Sequence, residues 1–422
     1  MSAYLWLTQD VGTMIVENFR VLGAKGLIFQ IVEIILAAAV VLPCTILFVE
    51  VLIAFFNRNQ ISDAFSHSFD DGYTRTILVP AHNEAAGIKT TLLTITSQMR
   101  EADQLLVVAD NCTDTTADIA QEVGADVIFR DNQRQRGKGY ALDFGLQHLS
   151  QSPPDVVVMV DADCRVLPGA IDAVSTLAMR TNRPVQATYL LEAGPQPSPK
   201  EMISTFAFKV KNLVRPFGIS RLGYPCLLTG SGMAFPWSVI SEVDLATGNL
   251  VEDMQLGLDL SVAGHLPLLC PSAVVLGAQP QQLSVARSQR TRWEHGHLRT
   301  LSTSAALLLW EGFKQRRLEL IILALDVSVP PLALLVMLWS TTAIFITIFT
   351  VVFNGSWLAL LMVFYAGVSL ISAITLSWYG FAQADIPIDK LIYIPLYILW
   401  KVPVYFNFLI KPERDWIRTE RK

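Results

Sequence analysis

The chain has 422 residues, of which 52% are hydrophobic and only 16% are charged. That composition is too apolar for a soluble protein of this length and predicts a membrane protein. The formal net charge is −5, and the polar middle of the chain carries no basic run, which excludes a nucleic-acid partner. The five cysteines lack CxxC or other ligand spacing, so we expect no disulfide framework and no structural zinc site, and a polar part in a reducing cytoplasm.

The chain opens with an apolar region. Residues 27–56 are enough to cross the ~30 Å core of a bilayer as a helix, and this run is too long and starts too late for a signal peptide. Residues 1–26 mix apolar and charged residues at helical spacing, which predicts an interfacial helix. Glu33 and Glu50 lie near the ends of the span, where we expect headgroups or neighbouring helices to hold them; an intramembrane functional carboxylate is the alternative.

A polar block over residues 57–300 follows, in which short β-rich apolar runs alternate with helix-like segments. Its predicted strands are Arg75 to Pro80, Gln104 to Asp110, Asp126 to Arg130 and Asp155 to Asp161. This order predicts an α/β fold with a mostly parallel central sheet covered by helices on both faces. Ligands of such sheets bind beyond the carboxyl ends of the strands.

Three of these strands end in polar clusters, which parallel strands would bring to one rim. The clusters contain Pro80, His82 and Glu84; Asp110; and Asp161, Ala162 and Asp163. Two carboxylates leaving a buried strand together suit Mg²⁺ or Mn²⁺ bridging to a diphosphate. An Asp-x-Asp alone also occurs in turns and helix caps, and it is the neighbouring clusters that favour the metal site.

Asp110 and the glycine pair around Lys138 are the next candidates. Asp110 could accept hydrogen bonds from a base or ribose, whereas Asp114, four residues on, is better explained as the cap of the following helix. Lys138, between Gly137 and Gly139, precedes a helix and suits a donor diphosphate; an exposed basic turn is the equally weighted alternative.

Two further motifs lie near the end of the polar block. Glu252 and Asp253 begin a predicted helix, where the helix dipole already favours acids; Asp253 is also the candidate general base of a group transfer. Gln289, Arg292 and Trp293 lie next to the second apolar region, where Arg292 could clamp a pyrophosphate and Trp293 could stack on a sugar. An aromatic and basic membrane anchor is the alternative.

The apolar end begins with a predicted interfacial helix over residues 301–318, followed by transmembrane or interfacial helices over 319–410 and a cytoplasmic tail over 411–422. We expect the stretch from Leu320 to Phe353 to tilt, to break at Pro330-Pro331 or to form two segments. A span should follow from Trp357 to Phe381, and either a span or a surface helix over Leu391 to Ile410. Basic residues on both sides of this region place its ends in the cytoplasm, so it should cross an even number of times. That allows three spans in the whole chain, which we prefer, or five.

Taken together these motifs resemble the membrane-embedded family 2 glycosyltransferases, the branch with cellulose, chitin and hyaluronan synthases and ceramide glucosyltransferase. The resemblance covers Thr76 to about Arg299 and the anchor arrangement. It rests on Asp110, the Asp-x-Asp, Gly230-Ser231-Gly232, the Glu-Asp pair and Gln-x-x-Arg-Trp, in that order.

The resemblance implies a GT-A-type catalytic domain over residues 57–300, inserted between N- and C-terminal transmembrane helices. It implies that Asp110 contacts the uridine of a UDP-sugar and that Asp161 and Asp163 hold Mg²⁺ or Mn²⁺. Asp253 would be the catalytic base of an inverting transfer. Residues of the acceptor and diphosphate end would be Gly230, Ser231, Gly232, Glu252, Gln289, Arg292 and Trp293.

We therefore expect a multi-pass protein of the cell inner membrane that transfers sugar to a saccharide or lipid-linked acceptor, with partner proteins for export if the product is a polysaccharide. A single-step glycolipid synthase shares the same motifs, and product length would separate the two. A non-catalytic scaffold with a transferase-like domain should have lost one of Asp161, Asp163, Asp253 or Arg292, and all four are present. A transporter is disfavoured because the polar domain fills more than half the chain.

Overall fold

The computed structural model describes the backbone of residues 2–61, 72–192, 194, 196–243, 245–246, 251–278 and 283–410, and all their side chains except those of 2–25, 283–290 and 409. The predicted tail at 411–422 and the side chain of Gln289 lie outside this description.

One long helix, α1 Ser2–Asn57, opens the chain. Its 56 residues would extend about 84 Å at 1.5 Å per residue, far more than a bilayer core. The stretch Gly26–Gln60 is long and apolar enough to cross a membrane. The helix continues without a break through residue 26, so the segment predicted to be an interfacial helix is the first part of α1.

The polar block forms an eight-stranded sheet with the strand order β3-β2-β1-β4-β7-β6-β8-β5. The strands are β1 Arg75–Ala81, β2 Gln104–Asp110, β3 Asp126–Arg130, β4 Val156–Met159, β5 Cys164–Val166, β6 Val185–Leu191, β7 Met233–Pro236 and β8 Leu268–Gly277. The helices are α2 Ile88–Thr96, α3 Thr116–Glu122, α4 Lys138–Leu149, α5 Ala170–Thr181, α6 Pro199–Lys209, α7 Arg215–Arg221, α8 Trp237–Ile240 and α9 Glu252–Ala263. A π-helical turn, Val210–Val214, joins α6 to α7.

Helices cover both faces of the sheet, as the alternation in β1 illustrates. Ile77 and Val79 are buried in a core with α2 and α5, whereas Leu78, between them, is buried on the other face with α4 and α9. Strands buried on both faces read as continuous apolar runs, which is why the sequence predicts them well. The neighbours β3, β2, β1 and β4 are parallel, as predicted; the antiparallel entry of β7 next to β4 was not predicted.

Five helices close the described part of the chain: α10 Leu283–Gln315, α11 Leu318–Val327, α12 Leu332–Phe353, α13 Trp357–Phe381 and α14 Ile394–Ile410, the last preceded by a 3₁₀ turn, Ile388–Tyr393. Of the alternatives expected for the stretch from Leu320 to Phe353, the structure has the break at Pro330-Pro331, since α11 ends before it and α12 begins after it. By contrast, α10 runs through residue 300 without interruption, so the expected boundary between globular domain and interfacial helix lies inside one helix.

Four helical stretches of the described chain are long and apolar enough to span a membrane: Gly26–Gln60, Leu332–Phe353, Trp357–Phe381 and Ile388–Phe408. Neighbouring elements hold both acidic residues of the first stretch. Glu33 accepts a hydrogen bond from the Ser356 backbone N–H at 2.5 Å, at the start of α13, and Glu50 accepts one from Arg215 at 2.7 Å.

Candidate functional site

The ends of β1, β2 and β4 meet at one rim of the sheet, because the three strands are parallel neighbours. Asn83 and Asn111, just after β1 and β2, have φ values of 53° and 52°. Asparagine enters this left-handed region more readily than most residues, which lets the chain turn sharply where each strand ends. The three polar clusters therefore lie side by side, as the sequence predicted.

Asp110 is held in place by the strand next to it. Its Oδ1 accepts hydrogen bonds from Arg130 Nη1 at 2.6 Å and Asn111 Nδ2 at 2.8 Å, and its carbonyl lies 2.5 Å from His82 Nδ1. Burial raises the pKa of the Asp110 carboxyl against the opposing effect of Arg130. Asp114 accepts from the Thr116 N–H at 3.0 Å, at the start of α3, as expected of a helix cap.

Asp161 and Asp163 follow β4 and lie with Cys164 in a group whose potential ligand atoms are all within 4.8 Å of one another. The Asp161 backbone N–H donates to Ser231 Oγ at 3.1 Å, which fixes the turn. Burial raises the pKa of Asp161, Lys138 opposes that rise, and Asp163 adds to it. The oxygens of the two carboxylates suit Mg²⁺ or Mn²⁺. Burial raises the pKa of the Cys164 thiol, so this group is a poor metal ligand.

The Lys138 ammonium lies near both the candidate metal ligands and the Glu252-Asp253 motif. It forms an ion pair with Asp161 and donates to the Gly230 carbonyl. A Cβ at Gly230 would lie 2.9 Å from Asp253 Oδ2 and 3.5 Å from Lys138 Nζ, so glycine is what lets the backbone approach both groups. Lys138 is thus part of the cleft and not an exposed basic turn; the nearby acids hold its pKa above the usual value despite burial.

Glu252 and Asp253 occupy the first turn of α9, as predicted, and both line the cleft. Burial, followed by the adjacent Asp253 charge, raises the pKa of Glu252 to about 7. Helix-dipole stabilisation alone would lower that pKa, so the local acidic charge and low solvation dominate here.

Ser231 and Gly232 lie behind the rim and outside the cleft lining. Gly232 donates to the Met159 carbonyl at 2.9 Å, and a Cβ there would meet Val275 at 2.7 Å. Gln186, which the sequence did not single out, holds this segment: its Oε1 accepts from the Thr229 N–H at 2.8 Å and its Nε2 donates to the Ser231 carbonyl at 2.8 Å.

Arg292 and Trp293 lie on α10 and line the same cleft. The Trp293 ring packs against Phe208 at 5.6 Å between centroids. An anchor in the bilayer would face lipid, so their place in the cleft lining favours the ligand-binding interpretation. The next residue, Glu294, forms an ion pair with Lys401 of α14, whose side chain is almost fully buried.

Most of the candidate residues line one cleft with a cavity volume of about 330 Å³, within the range of small-molecule sites. Thirteen of the sequence-predicted residues contribute to it: Pro80, His82, Glu84, Asp110, Lys138, Asp161, Ala162, Asp163, Gly230, Glu252, Asp253, Arg292 and Trp293. Sequence reasoning missed its membrane-side wall, which is formed by Leu47, Lys211, Asn212, Tyr397, Lys401 and Tyr405, among others. A lysine inside the apolar run of α14 was the available signal, since such a charge needs a partner.

Comparison with known proteins identifies the sheet domain. The family model described as "Glycosyltransferase like family 2" matches residues 74–296. A probable glycosyltransferase, YdaM of Bacillus subtilis (strain 168), is 26% identical over 253 residues, covering 53% of this chain and 54% of the relative. A poly-beta-1,6-N-acetyl-D-glucosamine synthase of Staphylococcus aureus (strain COL) is 24% identical over 241 residues, covering 52% and 54%. The chain thus spans about half the length of these curated relatives.

Among solved structures, a mannosyltransferase from Pyrobaculum calidifontis in complex with GDP-Man and Mn²⁺ is 18% identical, with 87% of this chain and 99% of that chain covered and a TM-score of 0.49. The family match, together with the mostly parallel sheet and its flanking helices, confirms the predicted GT-A-type fold between apolar terminal helices.

Proposed function

The chain belongs to the glycosyltransferase like family 2 and is a glycosyltransferase, and we propose that it moves a sugar from a UDP-sugar to a saccharide or lipid-linked acceptor at the cytoplasmic face of the inner membrane. The single observation that carries the proposal is the Lys138 ammonium, which bridges Asp161 and the Gly230 carbonyl beside Asp253. Lys138 places a cation beside Asp161, a candidate metal ligand, and near Asp253, the candidate base, where the departing diphosphate would need positive charge.

The donor end would be held by the rim. Asp110, fixed by Arg130, accepts hydrogen bonds from the nucleoside, and its low exposure strengthens them. Asp161 and Asp163 would hold Mg²⁺ or Mn²⁺, a fit supported by the closeness of their carboxylates and by the ammonium they attract. When bound, such an ion would neutralise charge that develops on the leaving diphosphate.

Asp253 would act on the acceptor. Its carboxylate takes the proton of an acceptor hydroxyl while that oxygen attacks the anomeric carbon from the face opposite the diphosphate. The new glycosidic bond forms as the bond to the diphosphate oxygen breaks, so the anomeric centre inverts. Lys138, which pairs with Asp161 and interacts electrostatically with Asp253, would stabilise the diphosphate as it leaves.

The membrane arrangement proposed here has three crossings: α1, α12 and α13. One face of α14, with Tyr397, Lys401 and Tyr405 at four-residue spacing, lines the cleft of the polar domain, which supports a helix lying at the cytoplasmic surface. This arrangement keeps an even number of crossings between the basic residues that flank the apolar end.

The test is donor turnover by the purified full-length protein in lipid nanodiscs, with a panel of UDP- and GDP-sugars and either Mn²⁺ or EDTA. We expect nucleoside diphosphate release from one UDP-sugar that requires the divalent ion. Preference for GDP-sugars would correct the donor, and turnover unaffected by EDTA would contradict the metal proposal. Absence of turnover with every donor, in native membranes as well, would favour the scaffold alternative.

A further inference from the structure

A buried ion triad joins the polar domain to α1, and the mechanism described above does not use it. Arg215, the first residue of α7, donates from Nε to Glu50 of α1 at 2.7 Å and from Nη2 to Asp326 of α11 at 2.6 Å. None of the three side chains is more than 8% exposed. The triad therefore connects three separate segments of the chain out of contact with water.

The triad depends on the shape of the arginine side chain as well as on its charge. The guanidinium is a rigid fork, so two different nitrogens reach the two acids at once. Nη2 also donates to the Asp326 carbonyl at 2.8 Å, near the C-terminal end of α11, where the helix dipole favours a cation. A lysine at position 215 would keep the charge, but its single ammonium could not reproduce the fork.

A close backbone approach fixes α7 against α1. A Cβ at Gly218, three residues after Arg215, would lie 2.0 Å from the Glu50 carbonyl, so only glycine lets the two helices come this close. The start of α7 is thus held both by the triad and by direct packing. The π-helical turn Val210–Val214 comes immediately before Arg215, so the same contacts determine where this turn lies.

The π-helical turn carries Lys211, which lines the cleft. Its ammonium interacts electrostatically with Asp253 and Glu294 in the cleft and with Asp326 of the triad. A lysine stem is flexible, so the position of the ammonium depends on the backbone that carries it and on the acids around it. Turns of this kind are frequent at functional sites.

Asp253 is therefore attracted by cations on two different elements. Lys138 of α4 and Lys211 of the π-helical turn both interact electrostatically with it. Attraction from two elements limits the orientations open to a carboxylate, and a general base works only when it is aligned with the hydroxyl that it deprotonates.

We propose that Arg215 is a positioning residue of the transfer reaction, which acts by fixing the π-helical turn that carries Lys211. The triad ties this turn to α1 and α11, so that the Lys211 ammonium stays near Asp253 and keeps its carboxylate aligned with the acceptor hydroxyl. The inference rests on the function proposed above, in which Asp253 is the base. It assigns a part in catalysis to the contact between the polar domain and α1.

The experiment compares Arg215→Lys, Lys211→Met and the double variant, as full-length protein in nanodiscs made with native membrane lipids. The rate of nucleoside diphosphate release gives kcat and the KM for the donor that the wild type turns over, and thermal unfolding checks the fold. Arg221→Lys is the matched control, since Arg221 is exposed at the other end of α7 and hydrogen-bonds Gln60.

We expect each single variant to lower kcat by about 10- to 100-fold, as misalignment of a catalytic group does, with the donor KM unchanged. The double variant should be no slower than the slower single variant, because both changes remove the same interaction. The control should behave like the wild type.

Two results would overturn the inference: wild-type kcat in folded Arg215→Lys, or a double variant whose loss is the product of the two single losses, which would give Arg215 a separate structural role. If Arg215→Lys does not fold, Asp326→Asn, which leaves Arg215 paired with Glu50, replaces it in the same comparison. A wild type that turns over no donor contradicts the proposed function, whereas either overturning result with an active wild type contradicts only the positioning role.

Discussion

The two ends of β1 differ in how their charged side chains are paired. At its first residue, the fully buried Arg75 side chain donates to Asp103 at 2.8 Å, to Ser175 at 3.1 Å and to the Gln98 carbonyl at 3.3 Å, and it also pairs with Asp172. Beyond its last residue, the Lys138 ammonium interacts with the carboxylates of Asp161, Glu252 and Asp253, and the Lys211 ammonium also interacts with Asp253.

The difference separates structural charge from functional charge. A buried ion network whose partners all belong to the protein offers no group to a ligand, and removing one partner should reduce the free energy of unfolding. A cluster with more acids than cations is poorly satisfied alone, which is typical of binding and catalytic sites, so we expect changes there to affect activity. Each prediction below changes one of these two regions.

The largest expected effect is on catalysis at the rim. Asp253→Asn removes the proposed base while retaining size and shape, and it should lower sugar transfer by about 10²- to 10⁴-fold, the usual contribution of general base catalysis. The measurement is initial transfer rate at saturating donor. Asp259→Asn, an exposed change on the same helix, is the control and should retain wild-type activity. A comparable loss in both variants would assign the effect to α9 packing.

Substitutions at the start of β1 should lower the free energy of unfolding and not the rate of transfer. Arg75→Met leaves the buried Asp103 carboxylate with only Arg100 beside it, and should reduce the free energy of unfolding by about 3 kcal/mol. Denaturant unfolding in detergent would measure it. Arg165→Met breaks an exposed pair with Glu192 and should cost less than about 1 kcal/mol. Arg75→Met protein that folds fully but binds donor poorly would contradict the division between the two ends.

A smaller effect follows from Glu252, whose pKa is raised to about 7 in the folded protein from an ordinary 4.5. Between these values the folded state holds more protons than the unfolded state, so this residue makes stability fall as pH rises through that window. Glu252→Gln removes the dependence. In metal-free protein the variant should gain about 1–3 kcal/mol over wild type at pH 8 and nothing below pH 4.5.

Thermal unfolding in EDTA at pH values from 4.5 to 8 would measure that gain. Glu122→Gln, an exposed change of the same chemistry on α3, gives the contribution of the substitution itself. If the advantage of Glu252→Gln were constant across pH, the Glu252 carboxyl would not be titrating in this window.

Much of the rim could be predicted because its causes are local. A buried strand appears in the sequence as an apolar run, so β2 and β3 were predicted with their observed bounds. Asp161 and Asp163 were expected after a buried strand and Asp253 in the first turn of a helix, and the structure has them there. The parallel order of β1, β2 and β4 then follows from the repeated strand and helix pattern.

The membrane-side wall could not be predicted, because it depends on contacts between distant parts of the chain. Asn212 lies on a π-helical turn, which has no sequence pattern of its own, and borders the cleft. Lys401 pairs with Glu294, which lies 107 residues earlier in the chain. The continuity of α10 through residue 300 was missed for a related reason: hydropathy changes there, but helical backbone does not.

The central claim is that the rim is a metal-dependent site for a nucleotide-sugar, and Mn²⁺ electron paramagnetic resonance tests it most directly. Titration of the wild-type protein with Mn²⁺ in the presence of UDP should show a bound ion, weaker without UDP, because carboxylates and diphosphate share its coordination. Asp163→Asn should abolish this bound signal while the protein remains folded. Equal Mn²⁺ binding by wild type and Asp163→Asn, or binding that ignores UDP, would contradict the account.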